Sequence, residues 1–96
     1  MMDRRQFASK LNGLSKPICK KLILSAGLKS KDERALLAWY VEEFTIHQVA
    51  DNEHMQIESA YNSISLARIR LFNILTQQAE FMPEDVQKII KYLIKN

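Results

Sequence analysis

Six apolar residues, Ile57, Ala60, Ile64, Ala67, Leu71 and Ile74, recur at steps of three and four, a spacing that suits one face of a helix and no strand. A helix that carries this stripe through about five turns must be covered along its length by other elements. The rest of the chain agrees with a helical fold. Glycine and proline number two each, and no window alternates apolar and polar residues with period two. The expectation is an all-α single domain over residues 1–96, with five to six helices. A chain of 96 residues buries only somewhat more than about 60% of its unfolded surface, so a homodimer would add stability. One Trp and seven other aromatics spread along the chain argue against disorder.

Local signals divide the chain. Asp3 is a suitable cap for a first helix from about Arg4 to Leu11, and Asn12-Gly13 is a stop. Ser15 and Pro17 open a second helix with Ile18, Leu22 and Ala26 facing inward, and Gly27 closes it. Ser30 and Glu33 have capping-box spacing for a third helix. Ala35, Leu36, Leu37, Trp39, Tyr40, Val41 and Phe44 make that third helix the expected central one, with Trp39 and Tyr40 as core rather than stacking platforms. The striped helix is expected from Gln56 to about Gln78, and Leu66, Ile69 and Phe72 lie off its first stripe, so its second half needs cover on two faces. A last helix, about 83–95, opens at Pro83 and aligns Val86, Ile89, Ile90 and Leu93. That stripe can pack on the long helix or be exchanged with a second subunit.

Between the third helix and the striped one, Thr45 and Gln48 form a further capping box, so a helix starts near Ile46. It is short, about two turns, because Asp51, Asn52, Glu53 and His54 favour a turn. Val49 and Met55 are core candidates around a small Ala50 that permits close approach of the next helix. This is the pattern of a helix-turn-helix over about residues 45–71. The outer face of its second helix carries Gln56, Glu58, Ser59, Asn62, Ser63 and Ser65, amide and hydroxyl groups that can approach base edges in a major groove. The plainer reading of the same residues is a solvated helix face.

The segment resembles the helix-turn-helix of the promoter-binding domain of bacterial sigma factors, on which it aligns without a gap. Matching positions are Thr45, Ile46, Val49, Ala50, Met55, Ala60, Ile64, Ala67, Arg68 and Leu71, and Ala35 to Phe44 is similar to the preceding helix there. The departures are Glu53 and His54, where that family has an apolar residue and Gly. The fimbrial-operon regulators and the plasmid-transfer repressors resemble it about as closely, through Tyr40-Val41, Thr45, Met55 and the segment Asn62 to Leu75. The resemblance covers about half the chain and implies a small transcriptional regulator that binds double-stranded DNA.

Residue roles follow from the motif. Gln56, Ser59, Asn62 and Ser63 are expected on base edges, with Tyr61 at the rim of the groove. Thr45, Arg68, Arg70, Lys29 and Lys31 are expected on phosphates. Charge is unevenly distributed. Residues 1–31 carry eight basic side chains against one acidic, whereas residues 32–60 carry seven acidic against one basic. The basic third suits a polyanion, and the acidic middle does not. The competing expectation is therefore a protein-interaction module, an anti-activator or assembly factor, using the acidic surface and the apolar C-terminal helices.

Catalysis is not expected. His47 and His54 have no third ligand at metal-site spacing, there is no glycine-rich phosphate loop, and no nucleophile elbow is present. No cofactor, metal or small-molecule substrate is called for. Cys19, beside Ile18 and Leu22, is expected to be a small core residue. A lone cysteine, no signal-like start and no apolar run long enough for a bilayer make a cytoplasmic location the expectation.

Overall fold

The computed structural model describes residues 4–94, and it is all-α, about 80% helical, with no strand among the described residues. Helix α1 runs Arg4–Asn12, α2 Lys16–Ser25, α3 Ser30–Leu36, α4 Ile46–Asn52, α5 Ile57–Gln77 and α6 Glu84–Ile94. A π-helical turn, Leu37–Val41, extends α3, and a 3₁₀ turn, Ala79–Phe81, precedes α6. Asp3, read from the sequence as the cap of the first helix, and residue 95, the expected end of the last, lie outside the described residues.

Helix α5 organises the molecule. Its 21 residues span about 31 Å at the usual rise per residue, most of the 36 Å long dimension. Ala60, Ile64, Ala67, Leu71 and Leu75 are buried along it, so the stripe follows the expected period, with Leu75 at its end and Ile74 only half-buried. Helices α1, α3 and α4 pack on α5, and α6 lies against α1 and α2. Phe7 of α1 meets Phe72 edge to face, with centroids 5.1 Å apart. This covers only part of the second apolar face: Ile69 and Phe72 are half-buried, while Leu66 is left 49% exposed.

Three expectations are corrected here. Ile18 is 42% exposed, and the inner face of α2 is Cys19, Leu22, Ile23 and Ala26. These four positions share one helical ridge at steps of three and four, and Ile18 lies one position behind it. Lys29, not Ser30, occupies the cap position of α3, and no side chain caps it. Gly27, at φ 70°, turns the chain so sharply that only the four residues 26–29 separate the two helices. The central helix is α5 and not α3, since α3 loses its regular pitch at Leu37 and leaves Trp39, Tyr40 and Val41 half-buried.

The apolar stripe of α6 is satisfied within the chain: Val86, Ile90 and Leu93 are buried and Ile89 is half-buried. It packs chiefly on α2 and α1. Lys21 of α2 pairs with Asp85 in the first turn of α6, and Lys10 of α1 donates to the Tyr92 carbonyl. Cys19 is 1% exposed, and burial pushes its thiol up to about 11. It is a core residue with little thiolate near neutral pH.

Candidate nucleic-acid interface

Helix α4 begins with a complete capping box. The Gln48 amide donates to Thr45 Oγ1 at 3.2 Å, and the Thr45 amide donates to Gln48 Oε1 at 2.8 Å. The other end is closed as firmly. The Met55 amide reaches the Ala50 carbonyl at 3.0 Å and the His54 amide reaches the Asp51 carbonyl at 3.3 Å. This is the paired bonding of a Schellman turn, in which the residue after the cap is left-handed. That residue is His54, at φ 53°. His54 thus takes a conformation that Gly adopts without steric cost, at the position where the resembling motifs carry Gly.

The turn is tied down from outside as well. Arg34 of α3 pairs with Glu53 at 2.9 Å, which places α3 behind the α4–α5 corner and neutralises one carboxylate of the acidic middle segment. Two further carboxylates of that segment are paired: Glu43 with Lys16 at 2.9 Å and Asp32 with Arg70 at 2.9 Å. The local negative field is therefore weaker than the sequence suggests. Glu58 stays exposed in the first turn of α5, where the helix dipole favours it.

The residues read as base contacts are spread unevenly around the first two turns of α5. Gln56 occupies the cap position, and Gln56, Ser59 and Asn62 are exposed. Ser59 and Asn62 are one turn apart and share a ridge. Ser63 is half-buried, and its hydroxyl donates to the Met55 sulfur at 3.8 Å. Tyr61 points elsewhere: it is 50% exposed and lies edge to face with Trp39, with centroids 6.3 Å apart. Ala60, between them, is fully buried.

The residues read as phosphate contacts divide more sharply. Thr45, Lys29 and Lys31 are exposed, although Thr45 Oγ1 already accepts the cap bond. Arg68 is half-buried and donates to the Tyr40 hydroxyl at 2.8 Å. Arg70 donates through Nη1 to both oxygens of Asp32, at 2.9 and 3.0 Å. Asp32, 5% exposed, is the one charged residue in the buried set. Its charge is compensated in place, and the pair ties α5 to α3. Lys29 lines the same hollow as Arg70 and Asn73, about 20 Å along the α5 axis from Ser59.

Sequence reasoning missed the Asp32–Arg70 pair and the π turn. No local pattern announces a partner 38 residues away. Its one available signal was an acidic residue one helical turn before the apolar Ala35 and Leu36. Among the described residues no group of three His, Cys, Asp or Glu side chains could hold a metal ion. No helix among them is long and apolar enough to cross a membrane. No family model matches the chain, and neither do curated proteins or solved structures.

Proposed function

We propose that the chain is a helix-turn-helix regulator that binds double-stranded DNA through the first turns of α5 and acts by occupying its site, without chemistry. The observation that carries this reading is the corner between α4 and α5: a capping box at one end of a two-turn helix, a left-handed His54 at the other, and an outward polar ridge beyond it. A turn built so tightly holds the second helix at a set angle, which groove recognition requires. Gln56, Ser59 and Asn62 read base edges, Ser63 supports them from beside Met55, and Tyr61 stands at the rim. Thr45 and Lys31 contact phosphates, and Lys29 reaches only a duplex that runs along α5. Arg68 and Arg70, drawn toward Tyr40 and Asp32, brace the helix and offer their remaining N–H groups to the backbone.

The rival reading, a protein-interaction module, relied on an acidic surface and an apolar C-terminal helix. Three of those carboxylates are paired within the chain and the α6 stripe is largely buried, which favours the DNA reading. Two-fold association belongs to the same proposal. Phe81, 79% exposed, and Tyr92, 55% exposed, are apolar surface available to it.

Selection of bound sequences from a random duplex pool tests function and symmetry together, with a palindromic consensus expected. Affinity for the selected site should fall with salt at a log-log slope near −0.9 per phosphate, for about four to eight contacts. Asn62→Ala should cost about 1 to 3 kcal/mol and relax preference at one base position. A flat salt response, or an unchanged titration for Asn62→Ala and Ser59→Ala together, refutes the reading helix.

A further inference from the structure

Along the seam between α1 and α5 lies an open groove of about 210 Å³. Phe7, Ala8, Ile69 and Phe72 make its apolar floor, and Arg5, Ser65 and Arg68 stand at its rim. The volume exceeds the roughly 150 Å³ of an apolar cavity known to take a benzene ring. Phe7, 1% exposed, backs the floor from the core, edge to face with the half-buried Phe72, so the preformed surface offered is that of Ala8, Ile69 and Phe72.

The rim is unusual in its charge. Among the described residues no carboxylate lines the groove, and the ion pairs among them use Lys16, Lys21, Arg34 and Arg70, not Arg5 or Arg68. Among the described residues the polar partner of Arg68 is the Tyr40 hydroxyl. Burial raises that phenol above its ordinary value, so it stays neutral and leaves the guanidinium charge uncompensated. Two arginines thus line an apolar trough that no carboxylate of the described residues shares. Elsewhere Lys16, Lys21, Arg34 and Arg70 each meet a carboxylate.

We propose that this groove binds a small carboxylate-bearing amphiphile. Its ring or short aliphatic chain lies on Ile69 and Phe72, and its carboxylate sits between Arg5 and Arg68. The guanidinium fork matches a carboxylate in shape and charge, while the trough rewards removal of apolar surface from water. A bare anion would gain only the rim, and a neutral hydrocarbon only the floor. The site lies off the polar ridge of Ser59 and Asn62 and shares only Arg68 with the proposed phosphate contacts, so a titration without DNA reads it separately.

The test is a titration of the isotope-labelled full chain with phenylacetate, followed by amide chemical shifts, with 2-phenylethanol and inorganic phosphate in parallel. Phenylacetate should give saturable shifts centred on Phe7, Ala8, Ile69 and Phe72, with a Kd of about 1 mM, ordinary for roughly ten non-hydrogen atoms. Phenylethanol should bind about tenfold or more weakly, and phosphate should leave these amides in place. Arg5 is exposed, so Arg5→Glu preserves the fold and should weaken phenylacetate by about tenfold or more. Arg68→Lys, which keeps the charge and loses the fork, should weaken it less. Absence of saturable shifts, equal binding of the alcohol, equal shifts from phosphate, or undiminished binding by Arg5→Glu would each overturn the proposal.

Discussion

The two halves of α5 follow one apolar repeat and live in different surroundings. From Ala67 onward the helix is clasped: Phe72 meets Phe7 of α1, Arg70 is held by Asp32 of α3, and Leu71 and Leu75 are buried. Before Ala67 it rests mainly on α4 and the Trp39 edge, with Ile57, Tyr61 and Leu66 between 38% and 50% exposed. A single helix can thus be scaffold at one end and presented surface at the other. What separates the halves is which neighbours reach them, not helix propensity, and the presented half is the one the DNA proposal uses.

The largest test of that contrast is a pair of leucine truncations. Leu71→Ala, in the clasped half, should lose about 3 kcal/mol in denaturant unfolding, since it leaves a cavity among residues that cannot collapse. Leu66→Ala should stay within about 0.5 kcal/mol because its side chain is half in water already. Equal losses would break the comparison.

Next comes the corner that sets the presented half. Thr45→Ala removes one member of the capping box and should cost about 1 kcal/mol by thermal or chemical unfolding. The change His54→Gly should act in the opposite direction, gaining about 0.5 kcal/mol, because relief of the left-handed strain outweighs the extra freedom of the unfolded chain. A destabilised His54→Gly would mean that the histidine ring contributes something its backbone does not.

The smallest effect is read through Cys19. Its raised thiol value means that the folded state favours the neutral form, so this contribution is complete below pH 9 and is lost as pH climbs toward 11. Iodoacetamide at pH 8 should label the native chain slowly and the denatured chain fast. Leu71→Ala should speed native labelling, whereas Leu66→Ala should leave it unchanged, which shows whether the core opens with the clasped half alone.

Much of this was legible in advance because it is local. The Thr45–Gln48 box, the Gly27 and Asn12-Gly13 stops and the 3.6-residue stripe each involve residues a few positions apart, where backbone bonding decides the outcome. Ser15 illustrates the limit: it sits at its cap position, yet its side chain makes no cap bond. Ile18 shows a second limit. One residue of phase separates the buried face of α2 from the exposed one, and only a packed neighbour selects between them.

The candidate site was legible in type and less so in detail. Gln56, Ser59 and Asn62 are exposed where the pattern put them, while Tyr61 turns to Trp39 and Arg70 turns to Asp32. The residue types along 45–63 determined a short capped helix, a polar turn and a polar ridge, because capping and period depend on near neighbours. Tertiary structure alone decided that Asp32 is buried against Arg70 and that Arg5 and Arg68 share a groove. Those outcomes depend on contacts between helices far apart in the chain, where the gain from burial and charge compensation overrides what each segment would do by itself.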